Sequence, residues 1–357
     1  MPAWGKVLSE IGSKQTEGQQ AVDLVRRKYL RSLQKHTGRN VIAYYSGWLF
    51  RPPTTPNLSV GDEDMNGFMA AVHKLDRTKG LDLILHTPGG DIAATESLVK
   101  YLWVMFDKDI RVIVPQLAMS AGTMIACAAK SVVMGKQSSL GPIDPQVGGV
   151  PAQGVLDEFQ MAVQSIQQSP ASAPLWQQVV SRYHPSFLLE CAQAIKWSRE
   201  MVSGWLRENM FAGNHGQAAI ADGVVNYLSD HSITATHSRH LPVSKCEEIG
   251  LKIERLEDDE KLQDLVLTVH HAYMHTFSMS QAVKIIENHL GVATVLLGVG
   301  QQIPFVGQGQ MHAGFQMQAP LVMPVPAPAH EEVIMEVGEQ GPAIDLVTTA
   351  EDQAAKE

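Results

Sequence analysis

Apolar residues follow two patterns along the chain, and the two patterns alternate. Short uninterrupted runs rich in Val, Ile and Leu predict buried strands at 40–49, 81–87, 110–116 and 131–135. Apolar residues at helical spacing predict helices over 19–38, 65–76 and 92–107, and another that begins near Ser120. Strands that alternate with helices, and that are apolar throughout, are typical of α/β units around a largely parallel sheet.

Beyond residue 150 the pattern becomes mostly helical. Helices are predicted over 153–168, 173–182 and 185–208, and a shorter one leads into a possible strand at 223–228. An apolar stripe extends the helical prediction over 257–290, and the composition after about residue 296 predicts disorder. We therefore expect an N-terminal lead-in, a compact domain, a helical appendage and a disordered tail, with these bounds: 1–18, 19–256, 257–295 and 296–357.

Composition narrows the classes of function. Of the 357 residues, 45% are hydrophobic and 18% are charged, which suffices for a packed core, and the formal net charge is −9. Because an acidic chain lacks the basic surface that attracts nucleic acid, we expect no nucleic-acid partner. No apolar stretch is long enough to span a membrane and the N-terminus does not resemble a signal peptide, so we expect a cytoplasmic protein. The three cysteines and scattered histidines lack metal-ligand spacing, and we expect neither a metal nor a cofactor.

Two predicted strand ends carry residues suited to chemistry. After the strand at 81–87, Pro88-Gly89-Gly90 predicts a tight turn whose backbone amides can point outward. After the next strand, Ser120 stands at a helix start, where it is either a helix cap or a nucleophile. If it is a nucleophile, the amide of Ala121 and that of Gly89 or Gly90 can bind the developing oxyanion.

Three segments carry a resemblance to a known family: "LILHTPGGDIAATESLV", "VPQLAMSAGTMIACAA" and "MGKQSSLGPIDPQ". They resemble the serine dehydrogenase proteinase family of ClpP-fold serine peptidases, and the likeness covers roughly residues 20–290. The resemblance implies a ClpP/crotonase-like spiral of ββα units with helical additions, in which 19–256 is the catalytic domain. It also implies that Ser120 is the nucleophile and that the amides named above form the oxyanion hole.

The general base is harder to assign. The resemblance places a histidine of the ClpP type in the segment "SSLGPIDPQ", but that segment contains none, and the first histidine after Ser120 is His184. Asp144 lies near the missing position. A lone aspartate is a poor base for a serine, and "GPIDP" is typical of a rigid turn.

The related signal peptide peptidase branch uses a Ser/Lys dyad, with the lysine on a helix that follows the core strands. Lys196 is the only lysine of the helix predicted at 185–208, and its apolar neighbours suit the desolvation that would lower its pKa. The alternative is a surface ion pair with Glu200 at i,i+4 spacing. We predict Lys196 as the base and His184 as the reserve base.

The sequence thus predicts a serine peptidase that cleaves polypeptides through a Ser120 acyl-enzyme and that forms homo-oligomers. Two alternatives stay open. A catalytically inactive scaffold would keep the fold without a competent base. A crotonase-type acyl-CoA enzyme would polarise a thioester without a nucleophile at position 120. No glycine-rich dinucleotide motif follows a strand, so the family's name does not predict a dehydrogenase.

Overall fold

The computed structural model describes residues 4–14, 20–234, 236–298 and 302–305. The helices are α1 (Trp4–Ser13), α2 (Gln20–Thr37), α3 (Asp64–Val72), α4 (Ile92–Phe106), α5 (Ala121–Cys127), α6 (Ala152–Gln168), α7 (Ala173–Val180), α8 (Phe187–Trp205), α9 (Gln217–Ser229), α10 (His231–Thr234), α11 (Val243–Glu248) and α12 (Glu260–Met279). The strands are β1 (Asn40–Ser46), β2 (Leu81–His86), β3 (Ile110–Val114), β4 (Leu117–Ala118), β5 (Ser131–Met134), β6 (Ser139–Leu140), β7 (Gln146–Val147), β8 (Val150–Pro151), β9 (Leu241–Pro242), β10 (Ile253–Arg255), β11 (Ala282–Asn288), β12 (Ala293–Leu297) and β13 (Gln302–Phe305).

The central sheet of the described region has the strand order β10-β5-β3-β2-β1-β11-β12-β13. Strands β10, β5, β3, β2 and β1 run parallel, whereas β11, β12 and β13 add to β1 in antiparallel succession. Every residue of β1 and β2 is buried. The apolar runs are continuous because both faces of these strands are covered, and the predicted mixed α/β fold with a mostly parallel sheet is confirmed.

Helices cover both faces of this sheet. On one face, Leu83 and Val112 join a large apolar cluster that includes Phe68 of α3 and Trp205 of α8. On the other face, Ile84 and Ile113 alternate with those residues and pack with α2 and α12. Alternation along a strand therefore divides its side chains between two cores.

Two predictions from periodicity are wrong. Residues 223–228 are not a strand but the second half of α9. The helix predicted over 257–290 ends at Met279, and the chain returns as β11, which pairs with β1 inside the sheet. Apolar runs of this length fit a buried helix and a buried strand equally well, so periodicity alone did not separate them. The tail predicted to be disordered lies outside the described residues, apart from the end of β12 and β13.

A second, smaller sheet positions the site. Strand β4 pairs in parallel with β6, and β6 pairs antiparallel with β9. The paired residues Ala118, Leu140 and Leu241 stand in one row across these strands. Strands β4 and β6 end, at Ala118 and Leu140, on the same edge of the small sheet on which β9 begins at Leu241. The segments that follow β4 and β6 and the segment that precedes β9 therefore meet at this edge.

Two further features bear on the earlier expectations. Cys127, Cys191 and Cys246 are buried free thiols. Across the part of the chain that the structure describes, no helix is long and apolar enough to cross a membrane.

Candidate active site

Ser120 lies at the junction between β4 and α5 with a strained backbone. Its φ is 50° and its ψ is −114°, a conformation that residues with a Cβ rarely adopt. Its side chain makes no capping hydrogen bond to α5, so it does not serve as the helix cap that we considered as an alternative. Strain of this kind is typical of nucleophiles that are presented on a sharp strand-to-helix turn.

The turn after β2 packs directly against Ser120. A Cβ placed on Gly89 would lie 2.6 Å from the Cβ of Ser120, and φ of Gly89 is +109°, so only glycine fits there. The Gly89 amide donates a long hydrogen bond of 3.2 Å to the Thr87 hydroxyl. The structure thus brings together Ser120 and the glycine turn, as the sequence predicted.

Val60 supports this turn from the other side. Its amide donates to the Gly89 carbonyl at 2.7 Å, and its own carbonyl accepts from the Asp91 amide at 2.9 Å. A Cβ on Gly90 would lie 2.3 Å from both the amide nitrogen and the carbonyl oxygen of Val60. In this parallel bridge the Gly90 amide points away from Val60 and has no acceptor among the described residues.

The amide of Ala121 is a second donor without an acceptor in the described part of the chain, and it lies next to Ser120. It is the first residue of α5, so its N–H has no acceptor within the helix. Together, the amides of Ala121 and Gly90 are two backbone donors without acceptors among the residues described, one next to Ser120 in sequence and the other in the turn that packs against it. This is the composition of an oxyanion hole.

Asp144 is the unexpected member of the site. Its side chain is only 2% exposed, and each of its carboxylate oxygens meets one imidazole. His237 Nδ1 lies 2.9 Å from Oδ1, and His231 Nδ1 lies 3.3 Å from Oδ2. A buried carboxylate on Nδ1 holds the proton on that nitrogen and leaves Nε2 unprotonated to act as a base.

The small sheet places this group at the same edge as Ser120. Ser120 follows β4 by two residues, Asp144 follows β6 by four, and His237 precedes β9 by four. Contacts tie the loops together, since the Gly141 amide donates to Thr123 Oγ1 at 2.8 Å. A serine, a buried aspartate and a histidine therefore converge on one edge.

The two bases predicted from sequence lie elsewhere in exposed positions. The side chain of Lys196 is 74% exposed and lies 3.9 Å from Glu200, which is the surface pair that we considered as the alternative. The desolvation expected of Lys196 is therefore absent, because this side chain lies on the face of α8 opposite to the buried Ser198 and Val202. His184 is 58% exposed, and its Nδ1 lies 2.8 Å from the Pro185 carbonyl.

Sequence reasoning missed His237 and His231 and undervalued Asp144. The signal was present: "DHSITATHSRHLP" places three histidines just before β9, and Asp144 stands where the resemblance places a ClpP-type histidine. The sequence analysis expected a histidine close to Ser120 along the chain. A histidine that returns to the site from about a hundred residues downstream is visible only once β9 is seen to pair with β6.

The comparison with known families concerns the first half of the chain. Residues 13–169 match the ClpP-like SDH-type serine proteinase family. The family predicted from the motifs around Ser120 is thereby confirmed. The matched segment includes Gly89, Gly90, Ser120 and Asp144, whereas His237 lies beyond it.

Two similar proteins are themselves uncharacterized. The chain is 37% identical over 139 residues to the uncharacterized protein MJ0137 of Methanocaldococcus jannaschii, covering 38% of this chain and 48% of that protein. It is 30% identical over 192 residues to the uncharacterized protein MJ1495 of the same organism, covering 54% of this chain and 58% of that protein. The chain thus spans about half the length of the curated relatives that it matches. No solved structure matches it significantly.

Nothing in the described region points to a bound metal. Within residues 4–14, 20–234, 236–298 and 302–305, no cluster of three or more His, Cys, Asp or Glu side chains is arranged to hold an ion. Asp144 with His231 and His237 is therefore best described as a hydrogen-bonded group.

Proposed function

We propose that this protein is a serine peptidase in which Ser120, His237 and Asp144 act together. The observation that carries the proposal is the pairing of buried Asp144 with His237 at the sheet edge where Ser120 stands in a strained conformation. The family match, whose description is that of a serine proteinase, supports the class of reaction. We propose polypeptides as the substrates. The fold that the resemblance implies for the catalytic domain is a spiral of ββα units.

In this mechanism the Ser120 Oγ attacks the scissile carbonyl carbon while His237 Nε2 accepts the hydroxyl proton. The Asp144 carboxylate holds the Nδ1 proton and stabilises the imidazolium that forms. The same proton then passes to the leaving amine, which departs as the acyl-enzyme forms. A water molecule then attacks the acyl carbonyl while His237 accepts its proton, and His237 gives that proton to Ser120 Oγ as the ester bond breaks and the acid product leaves.

The oxyanion of each tetrahedral intermediate would accept hydrogen bonds from the Ala121 and Gly90 amides. The Gly89 amide is the alternative donor, because its bond to the Thr87 hydroxyl is long and can be exchanged. Loss of one such donor typically lowers the rate by about 10²–10³.

The test is covalent labelling of the full chain with a fluorophosphonate, followed by mapping of the modified peptide by mass spectrometry. We expect a single adduct on Ser120 that is absent from Ser120→Ala. Asp144→Asn should slow labelling by about 10⁴, because it removes the charge that orients and stabilises His237. Absence of any adduct on folded wild-type protein would contradict the proposal and favour the scaffold or the acyl-CoA enzyme.

The two imidazoles on Asp144 provide a matched pair for assigning the base. His237→Gln should abolish labelling at neutral pH, whereas His231→Gln should reduce it only modestly through the loss of support for Asp144. The reverse result would transfer the role of base to His231. Loss of labelling in Lys196→Ala or His184→Gln alone would restore the base predicted from sequence.

Assembly into homo-oligomers remains part of the proposal. The helices α6, α7 and α8 expose large apolar side chains, among them Met161 at 59%, Leu175 at 66% and Leu189 at 58%. Light scattering coupled to size-exclusion chromatography should give a multiple of 39.0 kDa. Leu175→Glu should shift that mass downward if this surface carries the contact, and a monomeric wild-type protein would contradict this part of the proposal.

A further inference from the structure

A fully buried ion pair lies beneath the glycine turn. The Lys284 side chain on β11 is 0% exposed, and that of Asp64 at the start of α3 is 1% exposed. Their charged atoms are 2.7 Å apart, and Lys284 also contacts the partly exposed Glu63 at 3.1 Å. A buried pair of this kind adds little to stability compared with apolar side chains of the same size, so its presence calls for another reason.

The pair binds the residues on both sides of Val60. Lys284 Nζ donates to the Ser59 carbonyl at 2.7 Å, and the Gly61 amide donates to Asp64 Oδ2 at 3.1 Å. Val60 itself makes the two hydrogen bonds that flank Gly90. The ion pair thus fixes the short segment against which the candidate oxyanion donor rests.

A second connection reaches the same turn through Tyr44. The Tyr44 phenol donates to Asp64 Oδ2 at 2.7 Å. Burial and the Asp64 carboxylate raise the pKa of this phenol well above its ordinary value, and the adjacent Thr87 hydroxyl counteracts the rise. Thr87 Oγ1 in turn accepts the Gly89 amide. Tyr44 is thus bonded to the ion pair and lies beside the threonine whose hydroxyl accepts the Gly89 amide.

We propose that Lys284, Asp64 and Tyr44 are positioning residues that hold the Gly89–Gly90 turn in the orientation needed to stabilise the oxyanion. This proposal rests on the serine peptidase function proposed above. None of the three touches the reacting atoms. They act through Val60 and Thr87, so their loss should lower the rate of acylation while substrate binding and the titration of the base are retained.

A second network on the same strand supplies a matched control. Tyr273 is fully buried, and its phenol donates at 3.0 Å to Glu287, a buried carboxylate of β11 that also binds Arg26 at 2.9 Å. It repeats the chemistry of Tyr44 with Asp64 and Lys284, but its hydrogen bonds lead to α2 and α12 rather than to the glycine turn. A purely structural role predicts equal consequences for Tyr44→Phe and Tyr273→Phe.

The experiment compares these two variants in the full chain. For Tyr44→Phe we expect the second-order rate of fluorophosphonate labelling, and kcat on an unstructured polypeptide, to fall about tenfold, with KM and the pH profile unchanged. For Tyr273→Phe we expect both rates within about twofold of wild type, since no donor of the site is disturbed. Equal rates in the two variants would overturn the proposal while leaving the peptidase function intact.

A readout without activity separates failure of this proposal from failure of the function. Hydrogen exchange followed by mass spectrometry should show faster exchange of the Asp91 amide, which donates to Val60, in Tyr44→Phe and Asp64→Asn but not in Tyr273→Phe. If wild-type protein is never labelled, the peptidase function fails. Unchanged exchange at Asp91 in both variants would instead show that the buried pair does not hold the turn.

Substitutions of Thr87 keep the proposal testable if the buried variants fold poorly. Thr87→Val removes the hydroxyl that accepts the Gly89 amide, and Thr87→Ser restores it without the methyl group. We expect Thr87→Val to slow labelling about tenfold and Thr87→Ser to recover most of that loss. Equal labelling of the two variants would show that the hydroxyl link has no role.

Discussion

The two ends of the parallel strands are built differently. At the amino end, charged side chains are paired in a continuous row. Asp82 of β2 is fully buried and binds Arg39 at 2.8 Å and Arg111 at 2.9 Å, and Arg111 continues to Glu254 of β10 at 2.9 Å. Asp109 completes the row on Arg39 at 3.0 Å.

At the carboxyl end, the backbone is strained and polar groups are left without partners. Ser120 has a positive φ, and the amides of Ala121 and Gly90 lack acceptors within the described region. Both ring nitrogens of the buried His86 also lack a partner among the described residues. At the amino end of these strands the polar groups are paired with one another, whereas at the carboxyl end several of those described are free to bind a ligand. This is the usual difference between a structural region and a functional one.

The largest effect is expected from a substitution in the glycine turn at the carboxyl end. Gly90→Ala places a Cβ 2.3 Å from backbone atoms of Val60, which cannot move aside as a side chain would. We expect the rate of Ser120 labelling to fall on the order of 10²–10³ because one oxyanion donor is displaced. Gly204→Ala is the control, since its Cβ meets nothing within 4 Å in α8. Equal labelling of the two variants would remove Gly90 from the site.

At the amino end the expected effect is on stability rather than on rate. Asp82→Asn removes the buried charge that bridges Arg39 and Arg111, while Asp109 and Glu254 stay paired with these arginines, so we expect a loss of about 1–3 kcal/mol. Urea denaturation should record that loss, while labelling per folded molecule stays unchanged. Asp76→Asn, which breaks an exposed pair with Lys79, should cost no more than about 0.5 kcal/mol. A loss of labelling rate in folded Asp82→Asn would show that the two ends are coupled.

A fall in pH should reduce the stability contributed by the two ends over different ranges of pH. Burial lowers the pKa of His86 well below its ordinary value and that of His270 to about 3. Because the unfolded chain binds these protons near pH 6.5, stability is full above that pH and is lost as pH falls towards the folded pKa. The loss between pH 7 and pH 5 is about 2 kcal/mol for each buried histidine.

The carboxylates at the amino end respond in a lower range of pH. Burial raises the pKa of Glu254, but hydrogen bonds from Ser131 and Arg111 outweigh it, so its pKa is lowered overall. Its contribution is therefore retained through pH 5 and lost only in stronger acid. Urea denaturation at pH 7 and pH 5 should show a smaller loss for His270→Gln than for wild type. An equal loss would contradict the assignment to His270.

The smallest effect is expected at Lys196. This side chain and Glu200 form an exposed pair at 3.9 Å, so Lys196→Ala and Glu200→Ala should each change stability by less than about 0.5 kcal/mol. Labelling of Ser120 should stay within about twofold of wild type in both. A tenfold loss confined to Lys196→Ala would instead indicate that assembly desolvates this lysine and returns it to the role of base.

Much of the parallel part of the sheet could be predicted from local patterns. The apolar runs predicted β1, β2, β3 and β5 because strands buried on both faces have no polar alternation. The segment after Met279 could not be predicted in the same way. Its apolar residues fit a helix and a strand equally well. They form β11 because they pair with the edge of β1 that β2 does not occupy.

The candidate site divides in the same way. The sequence predicted the glycine turn and Ser120 because each depends on residues that are adjacent in the chain. The glycines let the backbone approach its neighbours closely, and Ser120 stands on a sharp turn between a strand and a helix. The sequence did not indicate His237 as a candidate base, because whether Lys196 or His237 lies beside a buried carboxylate depends on how distant elements pack. By itself the sequence determined the resemblance to the family, the candidate nucleophile Ser120 and the glycine turn. The tertiary structure alone decided which distant side chain pairs with Asp144, because the pairing of β6 with β9 brings His237 to Asp144 across 93 residues, whereas Lys196 stays on the solvent face of α8.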